Sequence, residues 1–219
     1  VIPARGGSKR LPRKNVLEAG GLPMLAYPIR IARDSGLFDR ILVSTEDVEI
    51  AEIARACGAE IIQRPPELAG DRATVAQVCL HVLEVRPEIE RLCCLYATAI
   101  LLRPSSLIEA HALLDSAPEA DFVMGVSEYE YSPVQALKAD TQGYLSCMWP
   151  EWRGIQSQFQ PHLVVSNGSV YWARADALKV EQTFYGRRLK GYLLPPEQVV
   201  DIDTPADLER ARLLHEKRS

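Results

Sequence analysis

The sequence has little with which to build a disulfide or zinc scaffold. It holds five cysteines, an odd number, and Cys93 and Cys94 are adjacent. Neighbours on a strand point to opposite faces, so this pair is badly placed to bridge. His81, His111, His162 and His215 are scattered, and no Cys or His pair has metal-finger spacing. Free cysteines suit a reducing compartment, so a cytoplasmic protein is expected. The longest nearly apolar run, Leu92 to Leu102, contains Thr98 and is too short to cross a bilayer. Basic residues are not in excess: 25 stand against 29 acidic ones, a net charge of −4. That balance disfavours a nucleic-acid binder, whose phosphate affinity rests on a basic face. Also missing are Gly-x-x-x-x-Gly-Lys-Ser/Thr, which would mark a P-loop, and the dinucleotide fingerprint Gly-x-Gly-x-x-Gly. There is no internal repeat, low-complexity tract or long charged tail.

What remains is an ordinary globular chain of 219 residues, 47% hydrophobic and 25% charged. A chain of this length buries roughly 70% of its unfolded surface and needs no covalent staple. It begins at Val1, without a methionine and already inside what reads as a strand, so residues are expected upstream. Short apolar runs alternate with segments of helical period, the signature of a βαβ sheet covered on both faces. Strands are expected at 1–4, 40–45, 60–63, 91–96, 121–126, 169–173 and 189–194. Helices are expected at 23–35, 47–57, 74–84 and 104–115, and a closing strand–helix unit around 199–215. Pro28 falls early in its helix, where it should tighten or kink the first turns. From 127 to 165 the period is lost and aromatic residues accumulate: Tyr129, Tyr131, Trp149, Trp152 and Phe159. One domain spanning 1–219, with 127–165 as an arm or insertion, is the economical reading.

Charge is uneven. Between Arg5 and Asn15 lie Arg5, Lys9, Arg10, Arg13 and Lys14, and no acid appears before Glu18. The loop leaves the carboxyl end of the first strand, where open α/β sheets place ligands. Gly6 and Gly7 let backbone N–H groups turn toward an anion, with cationic side chains completing the cradle. Near the other end stands Asp201-Ile202-Asp203-Thr204-Pro205. Carboxylates two apart on a strand share a side, which suits one hard divalent cation. The bland alternative is that Thr204-Pro205 simply starts a helix and Asp203 helps to cap it. That alternative leaves Asp201 unexplained.

Residues 3–15, Pro-Ala-Arg-Gly-Gly-Ser-Lys-Arg-Leu-Pro-Arg-Lys-Asn, resemble the nucleotide-binding signature of the acylneuraminate cytidylyltransferases, which make CMP-activated nonulosonic acids. Residues 64–71, Arg-Pro-Pro-Glu-Leu-Ala-Gly-Asp, look like that family's second signature loop. Residues 93–99 are similar to a segment of its pseudaminic acid branch, and Asp201 to Thr204 looks like its metal motif. The resemblance implies a Rossmann-like, three-layer nucleotide-diphospho-sugar transferase fold with a mostly parallel sheet and an inserted dimerisation arm. It implies an enzyme that condenses CTP with a nine-carbon 2-keto sugar acid, releasing pyrophosphate with Mg2+ as cofactor, in a homodimer with no nucleic-acid or membrane partner. Carried over by position, Arg5, Gly6, Gly7, Ser8, Lys9, Lys14 and Asn15 would hold the nucleotide, with Arg64, Asp71 and Thr74 at the cytidine. Tyr96, Thr98, Gln158, Asn167 and Gly168 would face the sugar, and Asp201 and Asp203 would ligate the metal. Arg5, Lys14, Asp201 and Asp203 form the expected catalytic set. The chain departs from the family pattern at Ile100, usually proline, at Val75, where a second hydroxyl is expected, and at Gln156, often arginine. The Ser166–Tyr171 segment looks more like the sialic and legionaminic branches, whereas 128–131 lean to pseudaminic acid. Those two sugars, and a non-catalytic relative, stay as alternatives.

Overall fold

A computed structural model describes residues 1–217, and for Ser157 the backbone only. The strands are β1 (Ile2–Pro3), β2 (Glu18–Ala19), β3 (Leu22–Pro23), β4 (Leu42–Thr45), β5 (Glu60–Gln63), β6 (Arg91–Leu95), β7 (Phe122–Glu128), β8 (Leu137–Ala139), β9 (Leu145–Cys147), β10 (Val164–Arg174) and β11 (Leu189–Leu193). The helices are α1 (Ala26–Ser35), α2 (Val48–Ala56), α3 (Val75–Val85), α4 (Pro104–Asp115), α5 (Ala175–Glu181) and α6 (Pro205–Glu216).

Strands β1, β4 and β5 form a parallel ladder, and β11, β7, β10 and β6 form a mixed one. Val1 joins them: its amino group donates to the Cys93 carbonyl at 2.6 Å and its carbonyl accepts from Leu95 N–H at 2.9 Å. Bonds from one residue to j−1 and j+1 are the slanted pattern of a parallel pair. The order is therefore β5-β4-β1-β6-β10-β7-β11, in which only β10 runs against its neighbours. The expected α/β sheet, mostly parallel and covered on both faces, is present.

Alternation assigns the faces. Cys93, Leu95, Val123 and Trp172 enter the large core under α1, α2, α4 and α6; Leu92, Cys94, Phe122 and Tyr171 enter the core under α3 and α5. Cys93 and Cys94 thus lie on opposite sides of the sheet, and burial pushes both thiols up, Cys93 to about 12. All five cysteines are free. No helix among the described residues is long and apolar enough to cross a membrane.

Local chemistry explains most boundaries. Asp47 caps α2 by accepting from Ile50 N–H, and Thr74 and Gln77 form a reciprocal capping box on α3. Gly36, with φ 66°, ends α1 in the left-handed region. Pro28 lies in the first turn of α1, where its missing N–H has no partner to lose.

Several expectations need correcting. Pro23 belongs to the small β2–β3 hairpin, and α1 starts only at Ala26. Helix α5 was not foreseen; its seven residues are too few to show a period. No strand forms around Val199. A 3-10 turn at Pro196–Gln198 follows Pro195, and the buried Gln198 side chain accepts from Arg103 N–H and Ser106 Oγ at the start of α4. This segment is fastened by a side chain instead of a ladder, so Asp201 and Asp203 stand on a loop. The 127–165 segment consists of the end of β7, the β8–β9 hairpin, three 3-10 turns and the start of β10.

Candidate active site

The carboxyl ends of β1 and β6 open into a cleft of about 450 Å³. Its walls come from the 5–15 loop, the 64–75 segment, Tyr96 to Thr98 and Asp203. Residues 188 positions apart in sequence are adjacent here: Lys14 Nζ lies 2.8 Å from the Ile202 carbonyl and 3.2 Å from Asp203 Oδ1. Arg10 reaches the other oxygen of Asp203 at 2.6 Å. Across the cleft, Asp71 receives Arg5 at 2.9 Å and Lys9 at 2.5 Å. The hydrogen bond from Lys9, and that from Arg5, hold the Asp71 carboxyl below the usual aspartate range. Four cations thus rim one cavity, each paired with Asp71 or Asp203.

Asn15 is buried, and its amide donates to the Arg5 carbonyl at 2.9 Å, tying the two ends of the loop together. Arg64 is 4% exposed and donates to Ser44 Oγ at 3.2 Å and to the Ser44 carbonyl at 2.6 Å. Burial holds its guanidinium below the ordinary arginine value, with Glu46 acting in the other direction. Ser8, Thr74, Val75 and Thr98 also line the cleft, although the Thr74 hydroxyl is engaged in its capping box. Gly6 corrects the sequence reading: its N–H donates to Glu46 Oε1 at 2.7 Å and is not turned to the cavity.

Thr204 and Asp207 cap α6 between them, and Asp203 contributes only its backbone N–H there. Its carboxylate is left for the cleft. Asp201 is more exposed and does not line the cavity, but desolvation first, and then Asp203, hold its carboxyl above the usual range. Among the described residues no group of three or more His, Cys, Asp or Glu side chains is gathered as for a metal. Two carboxylates beside an anion cradle nevertheless fit magnesium, which takes one or two protein oxygens and completes its shell with phosphate and water. The donor set has no nitrogen or sulfur that would favour zinc.

Tyr96 stands at the boundary of two cavities. Beyond it lies a pocket of about 300 Å³ lined by Thr74, Val75, Tyr96, Tyr171, Phe184 and Tyr185, among others. Tyr171 stacks on Phe184 at 5.0 Å and meets Tyr96 edge-on at 5.6 Å, while its hydroxyl pairs with Ser166 Oγ at 2.7 Å. Burial pushes the Tyr96 and Tyr171 phenols up, so both are neutral hydroxyl groups at physiological pH. Between Ser166, opposite Val126, and Tyr171, opposite Met124, β10 bulges. Gly168 turns there with φ 63°, close to the Tyr96 ring, and Asn167 donates to Ser127 Oγ at 3.2 Å. Asn167 and Gly168 are thus brought beside the site without lining the first cavity.

Gln158 is not brought there. It is exposed, lines neither cavity, and donates to Gln156 at 2.6 Å. Val75 lines both cavities, and Ile100 is buried in the main core, its N–H bonded to the Thr98 carbonyl at 2.8 Å, a bond proline could not make. The sequence reading did not assign Arg10, Tyr171, Phe184 or Tyr185 to the site. Arg10 could have been included on charge alone. The three aromatics carry no local signal, since the bulge and the loop after α5 decide where they meet. A larger groove, about 920 Å³, lies at the other end of β6 and β7 around Arg91 and Asp121. Acids there hold bases, as in Arg188–Asp121 at 2.7 Å, and the cationic loop does not reach it.

Comparison with known proteins identifies the family and the fold. A family model described as cytidylyltransferase matches residues 1–218. The chain is 33% identical over 220 residues to the pseudaminic acid cytidylyltransferase of Campylobacter jejuni, covering 98% of this chain and 94% of that protein. It is 29% identical to the N-acylneuraminate cytidylyltransferase of Escherichia coli, covering 100% of this chain and 52% of that protein. Among solved structures it is similar to a CMP:2-keto-3-deoxy-manno-octonic acid synthetase complexed with CTP, with TM-score 0.76, 19% identity and coverage of 100% of this chain and 98% of that one. That likeness extends the fold over the whole chain. With a family match of this length and a cationic cleft at the strand ends, the chain belongs to the cytidylyltransferase family and is a CTP-dependent enzyme.

Proposed function

We propose that this protein condenses CTP with a nonulosonic acid, pseudaminic acid in the first instance, to give the CMP-sugar and pyrophosphate. The observation that carries the reading is the meeting of Arg5, Lys9, Arg10 and Lys14 with Asp203 on a single cleft. In this reading the four cations, with Ser8, move from their carboxylates onto the triphosphate and neutralise the charge that develops on pyrophosphate. Asn15 holds the loop closed, and Arg64, Asp71 and Thr74 border the nucleoside. Tyr96, Thr98, Asn167 and Gly168 stand where nucleotide meets sugar, and the aromatic pocket beyond Tyr96 takes the apolar substituents of the acid. Asp201 and Asp203 would hold magnesium, which when bound polarises the α-phosphate and helps ionise the attacking hydroxyl. The chain's own contribution is alignment of that anomeric hydroxyl with the α-phosphorus and exclusion of competing water.

The arm is proposed to pair with a second copy, making a homodimer in which Gln158 borders the partner's sugar site. A single domain with this arm, working in the cytoplasm with its thiols free, is the matching whole-chain reading. N-acylneuraminic acid is the second candidate sugar, favoured by similarity along the whole of this chain to an enzyme named for it, of which the chain spans 52%. A matrix of nucleoside triphosphates against pseudaminic, legionaminic, N-acetylneuraminic and 3-deoxy-manno-octulosonic acids, read by pyrophosphate release, tests this. Release only with CTP and pseudaminic acid, and only with magnesium, is expected. No release with any nonulosonic acid would overturn the proposal.

A further inference from the structure

Of the five cations in the loop, Arg13 alone is absent from the cleft wall. It is a non-glycine residue in the left-handed region, with φ 56° and ψ 26°, a conformation that costs energy unless neighbours hold it. Its guanidinium holds Asp47 with both nitrogens, at 2.5 and 3.1 Å, and also reaches Glu49. These acids open α2 on the side of the loop away from the cavity. The hydrogen bond to Asp47 raises the Arg13 value further above its ordinary range, and the same bond lowers that of Asp47.

Asp47 has other duties that fix its position. Its Oδ1 caps α2 through Ile50 N–H at 3.0 Å, and its own N–H donates to Thr45 Oγ1 at 3.1 Å. Its Oδ2 lies against Gly6 so closely that a Cβ there would come within 2.4 Å. Next to it, Glu46 accepts Gly6 N–H. The start of α2 thus grips the loop twice, at Gly6 where it leaves β1 and at Arg13 where it turns back. The residues between these grips, Ser8 to Arg10, line the cleft, and Lys14 follows directly.

We infer that Arg13 is a positioning residue. It directs its charge to Asp47 and Glu49, not to phosphate, and in doing so keeps the other cations aimed at the cavity. This rests on the reading of the loop as the triphosphate cradle. Without the grip, the loop samples open forms, and apparent nucleotide affinity falls by the fraction of time the competent form is lost. A group acting this way changes binding of ground and transition states alike, so KM rises while kcat holds.

The test uses the full chain with CTP titration calorimetry, pyrophosphate-release kinetics and thermal melts. Arg13→Gln and Asp47→Asn are each expected to weaken CTP binding about tenfold with kcat within about twofold. Asp47→Asn keeps a good helix cap, so its melting temperature should shift by no more than a few degrees. The double variant should bind no worse than the worse single, since both remove the Arg13–Asp47 pair. Unchanged affinity in Asp47→Asn overturns the inference. So do multiplying effects in the double variant, which would place Arg13 on the phosphate independently, or a fall in kcat of tenfold or more. Lys14→Ala separates the two claims. Wild-type affinity in Lys14→Ala would sink the cradle itself, whereas lost affinity there beside a silent Arg13→Gln and Asp47→Asn removes only the positioning role.

Discussion

Aromatic residues in two parts of this chain are in opposite environments. Phe122, Tyr171 and Trp172 lie in the sheet and are buried, whereas Tyr131, Tyr144 and Phe159, within residues 127–165, are 80%, 72% and 71% exposed. The sheet residues have ladders on both sides and helices above and below. The arm has the three-residue strands β8 and β9, too little sheet to bury anything by itself. Leu137, Leu145, Met148 and Trp149 add to its uncovered apolar surface. Apolar exposure on this scale, where it is contiguous, marks an interaction surface more often than an accident. The comparison teaches that aromatic content alone says nothing about burial; the number of layers around a segment decides it.

The sharpest way to break the comparison is to cut an aromatic from each region. Phe122→Ala, which removes a ring packed against Gly186, is expected to cost about 3–5 kcal/mol in denaturant unfolding. Tyr131→Ser should stay within about 0.5 kcal/mol under the same conditions. Equal costs would mean that the arm is as much core as the sheet.

The cleft at the strand ends should respond in rate more than in stability. Asp201→Ala and Asp203→Ala are each expected to lower pyrophosphate release by roughly 10²-fold or more while melting near the wild type, because in the proposed reading each would remove a carboxylate that holds the metal. Normal turnover in both variants would detach the paired acids from the chemistry.

The mildest expected effect on the fold comes from the arm. Deleting residues within 130–160 should leave the sheet folded, with circular dichroism close to wild type, and give monomer in sedimentation. A deletion product that sediments wholly as dimer would move the interface elsewhere and leave the exposed aromatics without their proposed partner.

The cleft was more legible in the sequence than the arm, for a physical reason. Arg5 to Lys14 and Asp201 to Asp203 are clusters of charge at strand ends or helix starts, and charge needs no knowledge of packing to be noticed. The helix start at Thr204 was likewise local, as was the alternation that separates Cys93 from Cys94. Gly6 was misread because a glycine's freedom does not state which partner its N–H will find, and here it found Glu46. The strand expected at Val199 failed since apolar residues flanked by prolines look extended whether or not a neighbour offers a ladder. Tyr171 with Phe184, the bulge at Gly168 and the grip of Asp47 on Arg13 had no trace in the order of residues.

By itself, the sequence determined the class of fold, the compartments of charge and the residue types able to hold a polyphosphate, because periodicity and local charge are properties of neighbours along the chain. Tertiary structure alone decided that Lys14 meets Asp203, that Arg13 faces away from the cleft and that the arm stays uncovered. Each of those depends on the free energy of bringing distant segments together, which no short window of sequence contains.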